Sequence, residues 1–490
     1  MRSARRGSMH LPDRQDTQAA IAEAPLSGWA ASYPSFLVLV LLGVLYGSLY
    51  NSYRAYEIDN PWYLSFSYNF HINHITKDLF LNGIFPDGMG GTPVFGRLAA
   101  LLQASILSHA GWMPFPAMFF STALVLAGLF FWSRFLIQEG LSQKQSAAII
   151  LALGLTEPFV GMAERFRFEP FSFLLMALAF WLASLRGRQF TLLTCSLCLG
   201  SLALETEPAA LLIFPGLLLY QLRSRQAEPV KVLYAATLAV LFFAMVYAYL
   251  HPDILTILQQ TNWHRGSTQR QAGGFLRAYF LDRKRHLPEL ALILFAAWAY
   301  LSKRKQAPPL VRRMAEITGF VCVFSFLMNW PTPAYMIFFF PFFMVVAHWV
   351  LHSRPVWLLP AITMLLMLPQ YAALAVINYH QGWRSDDIRQ VAQAIQHSER
   401  LAGLDDSKIQ IMGDYSLWFA HPQHYRALSR TTSGLVSGEQ LFLCFDLPLR
   451  PLAMVDPIAL YCPDLKAQIA VRELEKIEVR GHRLLLLAPL

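Results

Sequence analysis

The chain has 490 residues, of which 55% are hydrophobic and only 14% are charged, and its formal net charge is +9. Soluble globular proteins carry about 25% charged residues, so the composition excludes an ordinary soluble enzyme and indicates a polytopic membrane protein. In such a protein, excess Lys and Arg indicate the cytoplasmic loops rather than a nucleic-acid surface.

Long apolar runs recur along most of the chain after a basic and polar N-terminal segment, residues 1–33. The first run comes too late, and without a small-residue cleavage site, for a simple cleaved signal peptide. Runs of roughly 18 residues or more can cross a hydrocarbon core of about 30 Å. The pattern predicts an α-helical membrane domain over 34–379, with a long first outer loop at 52–113. We expect about eleven spans, near 34–51, 115–137, 145–162, 170–185, 190–204, 208–222, 231–250, 288–302, 314–329, 333–351 and 355–378.

Basic residues in the short loops orient the predicted spans. With the N-terminus in the cytoplasm, nearly every inner loop is basic, as the positive-inside bias requires. The odd number of spans then places the C-terminus outside. One outer loop, 251–287, is basic against this bias and contains Arg265 and Arg270. Attraction to anionic lipid head groups and recognition of a phosphate are both open explanations for it.

The C-terminal region, 380–490, returns to ordinary polarity. The stretch DDIRQVAQAIQHSERL has helical spacing, and KIQIMGD, QLFLCF and HRLLLLAPL are short β-like runs. These patterns predict a small extracytoplasmic α/β domain. Cys444 and Cys462 both fall in it, and on an oxidising face they form either a disulfide or two buried thiols.

Two acidic groups lie on the predicted outer face. Glu57 and Asp59, in YEIDNPWY, follow the first span, and Glu164 and Glu169 lie between the third and fourth spans in TEPFVGMAERFRFEP. A carboxylate at the edge of a bilayer is costly unless it is paired or functional. Acids from separate loops on one face are a plausible site for general-base or metal chemistry. Asp59 could instead cap the helix that starts near Asn60.

Several stretches together resemble the GT-C superfamily of integral-membrane glycosyltransferases, which includes protein O-mannosyltransferases and lipid A aminoarabinose transferases. DNPWYLSFSYNF with DLFLNGIFPDGMGGTPVFGRLAALLQASI is similar to the family's first outer loop, and RFEPFSFLLMALAFWLA to the start of its fourth span. ALETEPAALLIFPGLLLY resembles its short re-entering span pair, and PTPAYMIFFFPFFMVV its late span. The chain departs from the family where a Lys-Pro-Pro stretch is expected, since Arg97 is the nearest cation there. It also has Glu205 and Glu207 where a lysine is common.

The resemblance implies transfer of a sugar from a polyprenyl-phosphate donor to a lipid, glycan or protein acceptor at the outer face of a bacterial plasma membrane. Direct displacement would invert the anomeric carbon. Asp59, with Glu57 beside it, would serve as base, and Glu169 and Glu164 as further catalytic acids. Arg265, Arg270 and Arg97 would bind the donor phosphate.

No cofactor is required by the resemblance, but a divalent metal ion is left open. Its candidate ligands are Glu57, Asp59, His71 and His74, the two histidines being three residues apart. Histidines near lipid head groups are the alternative explanation for the last two. Two other classes of function also stay open. A transporter or lipid flippase predicts internal repeats with broken helices at mid-membrane, and a non-catalytic cell-envelope scaffold predicts that the outer acids are replaceable.

Overall fold

The computed structural model describes residues 33–49, 59–72, 74, 95–185, 189–223, 228–252, 255, 274–283, 286–328, 333–402, 409–427, 440–446, 460–479 and 482–490. Glu57, Arg265 and Arg270, which the sequence places in the site, lie outside these residues. The side chain of Asp59 lies outside them as well, although its backbone is described.

Most of the described chain is helical. Several helices have proline in the first turn, such as Pro114, Pro170 and Pro229, where its missing N–H removes no intrahelical hydrogen bond. The helices are α1 (Tyr33–Leu49), α2 (Asp59–Ile72), α3 (Arg97–Ala110), α4 (Pro114–Gln138), α5 (Gln143–Gly154), α6 (Glu157–Glu164), α7 (Glu169–Ser184), α8 (Gln189–Thr206), α9 (Ile213–Arg223), α10 (Pro229–Leu250), α11 (Gly274–Phe280), α12 (Leu287–Lys303), α13 (Pro309–Met328), α14 (Phe340–Val350), α15 (Leu358–Gln381), α16 (Ser385–Ala402) and α17 (Cys462–Lys466). Short 3-10 helices lie at Pro208–Leu212, Arg304–Gln306, Pro333–Phe338 and Tyr415–Ala420.

Each predicted span coincides with one of these helices or with two consecutive helical segments. Among the described residues, three helices are long and apolar enough to cross a membrane singly: α4, α10 and the Leu358–Val376 part of α15. A bent pair, α5 with α6, would make a fourth. The shorter apolar helices are Tyr33–Leu49, Glu169–Ser184, Phe190–Thr206, Ala209–Arg223 and Phe340–Val350. The number of eleven spans therefore stays a prediction.

The third predicted span, expected as one helix, is bent by 67° between α5 and α6. Pro158 lies in the first turn after the break and has no N–H to donate to the carbonyl of Gly154 four residues earlier. The hydroxyl of Tyr46 in α1 donates to that carbonyl at 2.7 Å. The hydroxyl of Tyr371 in α15 donates to the carbonyl of Leu155. Two tyrosines thus satisfy backbone groups that hydrocarbon could not.

The helix bundle has two ends, which contacts of α4 identify. Near the start of α4, the Thr122 hydroxyl donates to the carbonyl of Ala163 at 3.1 Å, so this end lies beside the start of α7; we call it the Glu169 end. Beyond the last residue of α4, Glu139 accepts a hydrogen bond from Tyr220 at 2.6 Å and pairs with Arg313. These residues mark the opposite end with a largely buried ion pair.

The C-terminal region folds as the predicted α/β unit. Its strands are β1 (Gln410–Gly413), β2 (Tyr425–Ala427), β3 (Gln440–Phe445), β4 (Val471–Val479) and β5 (His482–Pro489). They form one sheet of order β2-β1-β3-β5-β4, in which β1 is parallel to β2 and β3, while β5 is antiparallel to β3 and β4. Helix α16 packs on β4. The predicted helix and the three predicted β-like runs are therefore confirmed.

The disulfide left open by the sequence is formed in the structure, where it joins Cys444 in β3 to Cys462 at the start of α17. Both cysteines are buried in a small apolar cluster with Phe442 and Leu487. The bridge therefore ties the central strand to a helix that lies 18 residues away in the chain.

The C-terminal unit contacts the Glu169 end of the bundle through aromatic rings. Tyr68 of α2 lies edge-on to Trp112 at 5.0 Å and to Trp418 of the 3-10 helix Tyr415–Ala420 at 5.9 Å. Phe419, the next residue, packs edge-on against Phe166 at 5.7 Å. Edge-to-face pairs of this kind stabilise by about 0.5–1.5 kcal/mol each beyond the area they bury. The unit therefore fixes α2 and the segment that precedes α7.

Candidate active site

An ion pair lies inside the Glu169 end. Arg167 Nη2 is 2.7 Å from Glu169 Oε1, and the Glu169 side chain is 0% exposed. Glu169 is the first residue of α7 and Pro170 follows it, so the carboxylate lies at the positive end of the helix dipole. Burying a charge without compensation costs several kcal/mol. The helix dipole and the guanidinium together supply that compensation.

A second carboxyl, Glu207, lies close to this pair. It sits in the junction between α8 and the 3-10 helix Pro208–Leu212, outside both helices, and is 3% exposed. Burial and the negative charge of Glu169 raise the pKa of Glu207 to about 8, while Arg167 and a hydrogen bond with Tyr335 oppose the rise. At neutral pH, Glu207 is therefore mostly a neutral acid able to donate a hydrogen bond.

Helix α2 covers the pair with an aromatic ring. The guanidinium carbon of Arg167 lies 5.3 Å from the centroid of the Tyr63 ring, within cation–π distance. The same ring meets Phe168 edge-on at 4.7 Å. We call Tyr63, Arg167, Glu169, Glu207 and Tyr335 the Arg167 cluster. Because Asp59 is the first residue of α2, the helix that covers the cluster also carries the predicted base.

Glu205 organises a second group of polar residues, in which Arg97 and His251 are also buried. Its carboxylate accepts the backbone N–H of Arg97 at 3.0 Å, at the start of α3. It also lies 3.0 Å from Nε2 of His251, and both of these side chains are 0% exposed. Arg97, which is 1% exposed, donates from Nη1 to the carbonyl of Leu250 at 2.6 Å. We call Arg97, Glu205 and His251 the Glu205 cluster.

Gly96 connects the two clusters. Its N–H donates to the carbonyl of Glu205 at 2.6 Å, and its φ of +86° is in the left-handed region that favours glycine. A Cβ at this position would lie 2.2 Å from the ring of Phe168. Phe168 is the residue between Arg167 and Glu169 in the chain. The backbone at the start of α3 can therefore approach the Arg167 cluster only because residue 96 has no side chain.

A third polar group surrounds His286, at the start of α12. Its Nε2 is 2.7 Å from Glu157 Oε2 and its Nδ1 is 3.2 Å from Glu289 Oε1. Tyr279 stacks on the imidazole and donates to Glu289 at 2.8 Å. Arg283 lies 3.2 Å from Glu157. Burial alone would lower the pKa of His286, but the hydrogen bonds and charges of the two glutamates outweigh it and raise that pKa above 6.5.

The structure brings some of the predicted site residues together. Glu169 and Arg97 lie in the adjoining Arg167 and Glu205 clusters. Glu164, 4% exposed, ends α6 just before them. Asp59 begins α2. The roles predicted for these residues stay predictions.

The predicted metal ligands are not all on one helical face. His71 is exposed in the last turn of α2, while His74 lies beyond the end of that helix at Ile72, with a φ of +52°. His74 therefore does not continue the helical spacing from His71, and the use of either histidine as a metal ligand stays a prediction. Within the described residues, no group of three or more His, Cys, Asp or Glu side chains is arranged to hold a metal ion. Glu57 and the side chain of Asp59 lie outside the described residues, so their use as metal ligands stays a prediction.

Sequence reasoning did not assign Glu205, Glu207, His251 or Tyr335 to a site. The sequence carried a signal for the two acids, because they end an apolar run directly before Pro208. Carboxyls in that position are costly unless they are paired. His251 and Tyr335 offered no comparable signal, because their partners lie far away in the chain.

Comparison with known proteins identifies the fold. No protein-family profile and no curated protein matches the chain. Among solved structures, the chain is similar to ArnT from Cupriavidus metallidurans bound to undecaprenyl phosphate, with a TM-score of 0.57 and 13% identity. The similarity covers 94% of this chain and 98% of that one. The chain has a GT-C fold. The resemblance seen in the sequence is thus confirmed at the level of the fold.

A second solved structure is also similar to this chain: the archaeal oligosaccharyltransferase AglB from Archaeoglobus fulgidus, in complex with an inhibitory peptide and a dolichol phosphate. The identity is 11% and the TM-score 0.47, over 81% of this chain and 64% of that chain.

Proposed function

We propose that this protein is a membrane glycosyltransferase that moves a sugar from a polyprenyl-phosphate donor to an acceptor. The observation that carries the proposal is the ArnT-like fold over 94% of the chain, since that protein was solved with undecaprenyl phosphate bound. The Arg167 and Glu205 clusters add support, because costly buried charges gather at one end of the bundle, beside the helix that begins with Asp59.

The reaction requires three groups, and the chain offers candidates for each. The acceptor hydroxyl or amine attacks the anomeric carbon while the bond from that carbon to the phosphate oxygen breaks, so the configuration inverts. Asp59, with Glu57 beside it, takes the acceptor proton. The leaving phosphate gains negative charge, which Arg265, Arg270 and Arg97 are proposed to stabilise. Glu169 and Glu164 complete the proposed set of catalytic acids.

The proposed site faces the outside of a plasma membrane. The basic inner loops support an N-terminus in the cytoplasm and, with the predicted eleven spans, a C-terminal unit outside. The disulfide between Cys444 and Cys462 supports this side for the C-terminal unit, because disulfides persist in oxidising compartments. The acceptor is a lipid, glycan or protein. If turnover depends on a divalent ion, Glu57, Asp59, His71 and His74 are the ligands to test.

The test compares wild type with Asp59→Asn in membranes supplied with a panel of radiolabelled polyprenyl-phosphate sugars and mixed envelope acceptors. Removing a general base lowers the rate by about a hundredfold or more, so we expect wild type to consume one donor and the variant to lose that rate. The matched control is Asp386→Asn, at a site where the carboxylate is 86% exposed. Equal turnover by wild type and a folded Asp59→Asn protein would refute the assignment of the base.

A further inference from the structure

Three consecutive exposed cations lie at the end of α12. Lys303 is the last residue of α12, and Arg304 and Lys305 begin the 3-10 helix that follows it. All three are exposed, and none of them forms an ion pair within the part of the chain that the structure describes. The nearest acid in the sequence, Glu316, is already paired with Arg223 at 3.4 Å. We call Lys303, Arg304 and Lys305 the basic turn.

Arg312 of α13 holds the backbone of the basic turn in place. Its Nε donates to the carbonyl of Ala307 at 2.8 Å, and its Nη2 donates to the carbonyl of Lys305 at 2.8 Å. The next residue, Arg313, pairs with Glu139, so the basic turn lies at the same end of the bundle as Glu139. The three cations are therefore presented to solvent on a backbone that side-chain hydrogen bonds fix.

The second half of α12 exposes large apolar side chains directly before the basic turn. Leu294, Trp298 and Leu301 follow one another at helical spacing, and their exposed fractions are 61%, 66% and 62%. In a membrane protein, such a face meets lipid acyl chains, and tryptophan is enriched at the level of the head groups. The surface thus changes from apolar to basic within about one helical turn, as an anionic phospholipid changes from acyl chain to head group.

We propose that the basic turn binds the phosphate head group of an anionic phospholipid whose acyl chain lies along Leu294, Trp298 and Leu301. The cations match the net negative charge of such a lipid, whereas a zwitterionic phospholipid offers none. On the predicted topology this end of the bundle faces the cytoplasm, so the lipid belongs to the inner leaflet. The inference is independent of the proposed function, because the Arg167 cluster lies at the other end of the bundle.

The expected size of the effect follows from the charges removed. Each Lys or Arg near an anionic membrane surface strengthens binding about fivefold, so removing two of them should lower the affinity about thirtyfold. Salt screens charges that lie more than about 8–10 Å apart. Exposed cations in other connections at the same end of the bundle should therefore contribute little to a lipid bound at the basic turn.

The experiment measures lipid binding to the full-length protein in a neutral detergent by native mass spectrometry. The probes are dioleoyl phosphatidylglycerol, which carries one negative charge, and dioleoyl phosphatidylcholine, which has the same acyl chains and no net charge. Wild type is compared with Lys303→Gln/Lys305→Gln. The matched control, Lys144→Gln/Lys231→Gln, removes the same charge from exposed positions in the first turns of α5 and α10.

We expect wild type to bind phosphatidylglycerol more tightly than phosphatidylcholine. Lys303→Gln/Lys305→Gln should lose about thirtyfold in affinity for phosphatidylglycerol and keep its affinity for phosphatidylcholine, while the control should lose less than about threefold. An equal loss in both double variants would indicate a diffuse field instead of a site and overturns the inference. Equal affinity of wild type for the two lipids, or an equal loss for both lipids in Lys303→Gln/Lys305→Gln, also overturns it.

A second measurement locates the acyl chain without changing the basic turn. Bromine atoms on an acyl chain quench the fluorescence of a tryptophan that they contact. We expect brominated phosphatidylglycerol to quench wild type more than brominated phosphatidylcholine does, and this difference to disappear in Trp298→Phe. A difference that persists in Trp298→Phe overturns the proposed position of the lipid. Reversal of the quenching by added glycerol 3-phosphate would show that the turn binds a free phosphate instead, and it too overturns the inference.

Discussion

Gly96→Ala tests how closely the start of α3 must approach the Arg167 cluster. The new Cβ would lie 2.2 Å from Cδ2 and 2.4 Å from Cε2 of Phe168, well inside van der Waals contact. The backbone would also hold an alanine at a φ of +86°, which costs about 1–2 kcal/mol for an L-residue. Overpacking in a filled interior adds about 1–3 kcal/mol, so the total expected loss of unfolding free energy is about 2–5 kcal/mol.

The matched control for this variant is Gly140→Ala. Gly140 also has a positive φ, +96°, but no atom lies within 4 Å of its ideal Cβ. It should therefore show only the backbone cost of about 1–2 kcal/mol, and the difference between the two variants isolates the collision with Phe168. Gly96→Ala should also lower donor turnover, because Phe168 separates Arg167 from Glu169 in the chain, whereas Gly140→Ala should not.

The assay is reversible unfolding of the detergent-purified proteins by titration with a denaturing detergent, together with turnover of the donor identified in the wild-type screen. Equal destabilisation by the two substitutions would refute the reasoning, because it would mean that Phe168 moves aside at no cost. Lower turnover in Gly140→Ala as well would show that the loss of rate does not arise at the Arg167 cluster.

Three further predictions follow from the contacts. Replacing both Cys444 and Cys462 with serine should cost about 3 kcal/mol of unfolding free energy for a loop of this length, measured as faster proteolysis of the C-terminal unit; no change would mean that the bridge is dispensable. Because the pKa of His286 is raised, its stabilisation is fully present below about pH 6.5 and is lost as pH rises through the folded-state value. As pH rises through this value, the melting temperature of His286→Gln should therefore fall less than that of wild type. Parallel curves of melting temperature against pH for the two proteins would contradict this. Trp418→Ala should cost about 3 kcal/mol and speed hydrogen exchange around Tyr68 in α2, and unchanged exchange there would show that the ring contact does not hold α2.

Local patterns predicted much of the fold. The apolar runs coincide with helices because their length and composition are properties of contiguous residues, and the same holds for α16 and for β1, β3 and β5. Strand β4 was missed because five of the nine residues of VRELEKIEV are charged: Arg472, Glu473, Glu475, Lys476 and Glu478. Among the described strands it pairs only with β5, at the edge of the sheet. Charged side chains are tolerated at such an edge, which hides the strand from a search for apolar alternation.

The candidate site was predicted only in part, because its contacts are long-range. Glu205 meets Arg97 across 108 positions of the chain, and Glu207 meets Tyr335 from a different helical segment. Sequence spacing cannot show that such residues meet. The 67° bend between α5 and α6 was also not predicted from the sequence. It turns α6, which leads to the segment that carries Arg167, away from the axis of the predicted span.

The break between α5 and α6 has a consequence for the order in which the protein can mature. The freed carbonyl of Gly154 accepts a hydrogen bond from Tyr46 of α1, and that of Leu155 accepts one from Tyr371 of α15. Helix α1 is among the first helices to leave the ribosome, whereas α15 is the last of the predicted spans. Asn378 of α15 also donates to the carbonyl of Leu49 at 2.5 Å, which brings the two helices together. During synthesis, a nascent chain that stops short of α15 must leave the carbonyl of Leu155 without its tyrosine. The hydrogen bond that closes the break on the side of Leu155 can therefore form only after α15 has been synthesised.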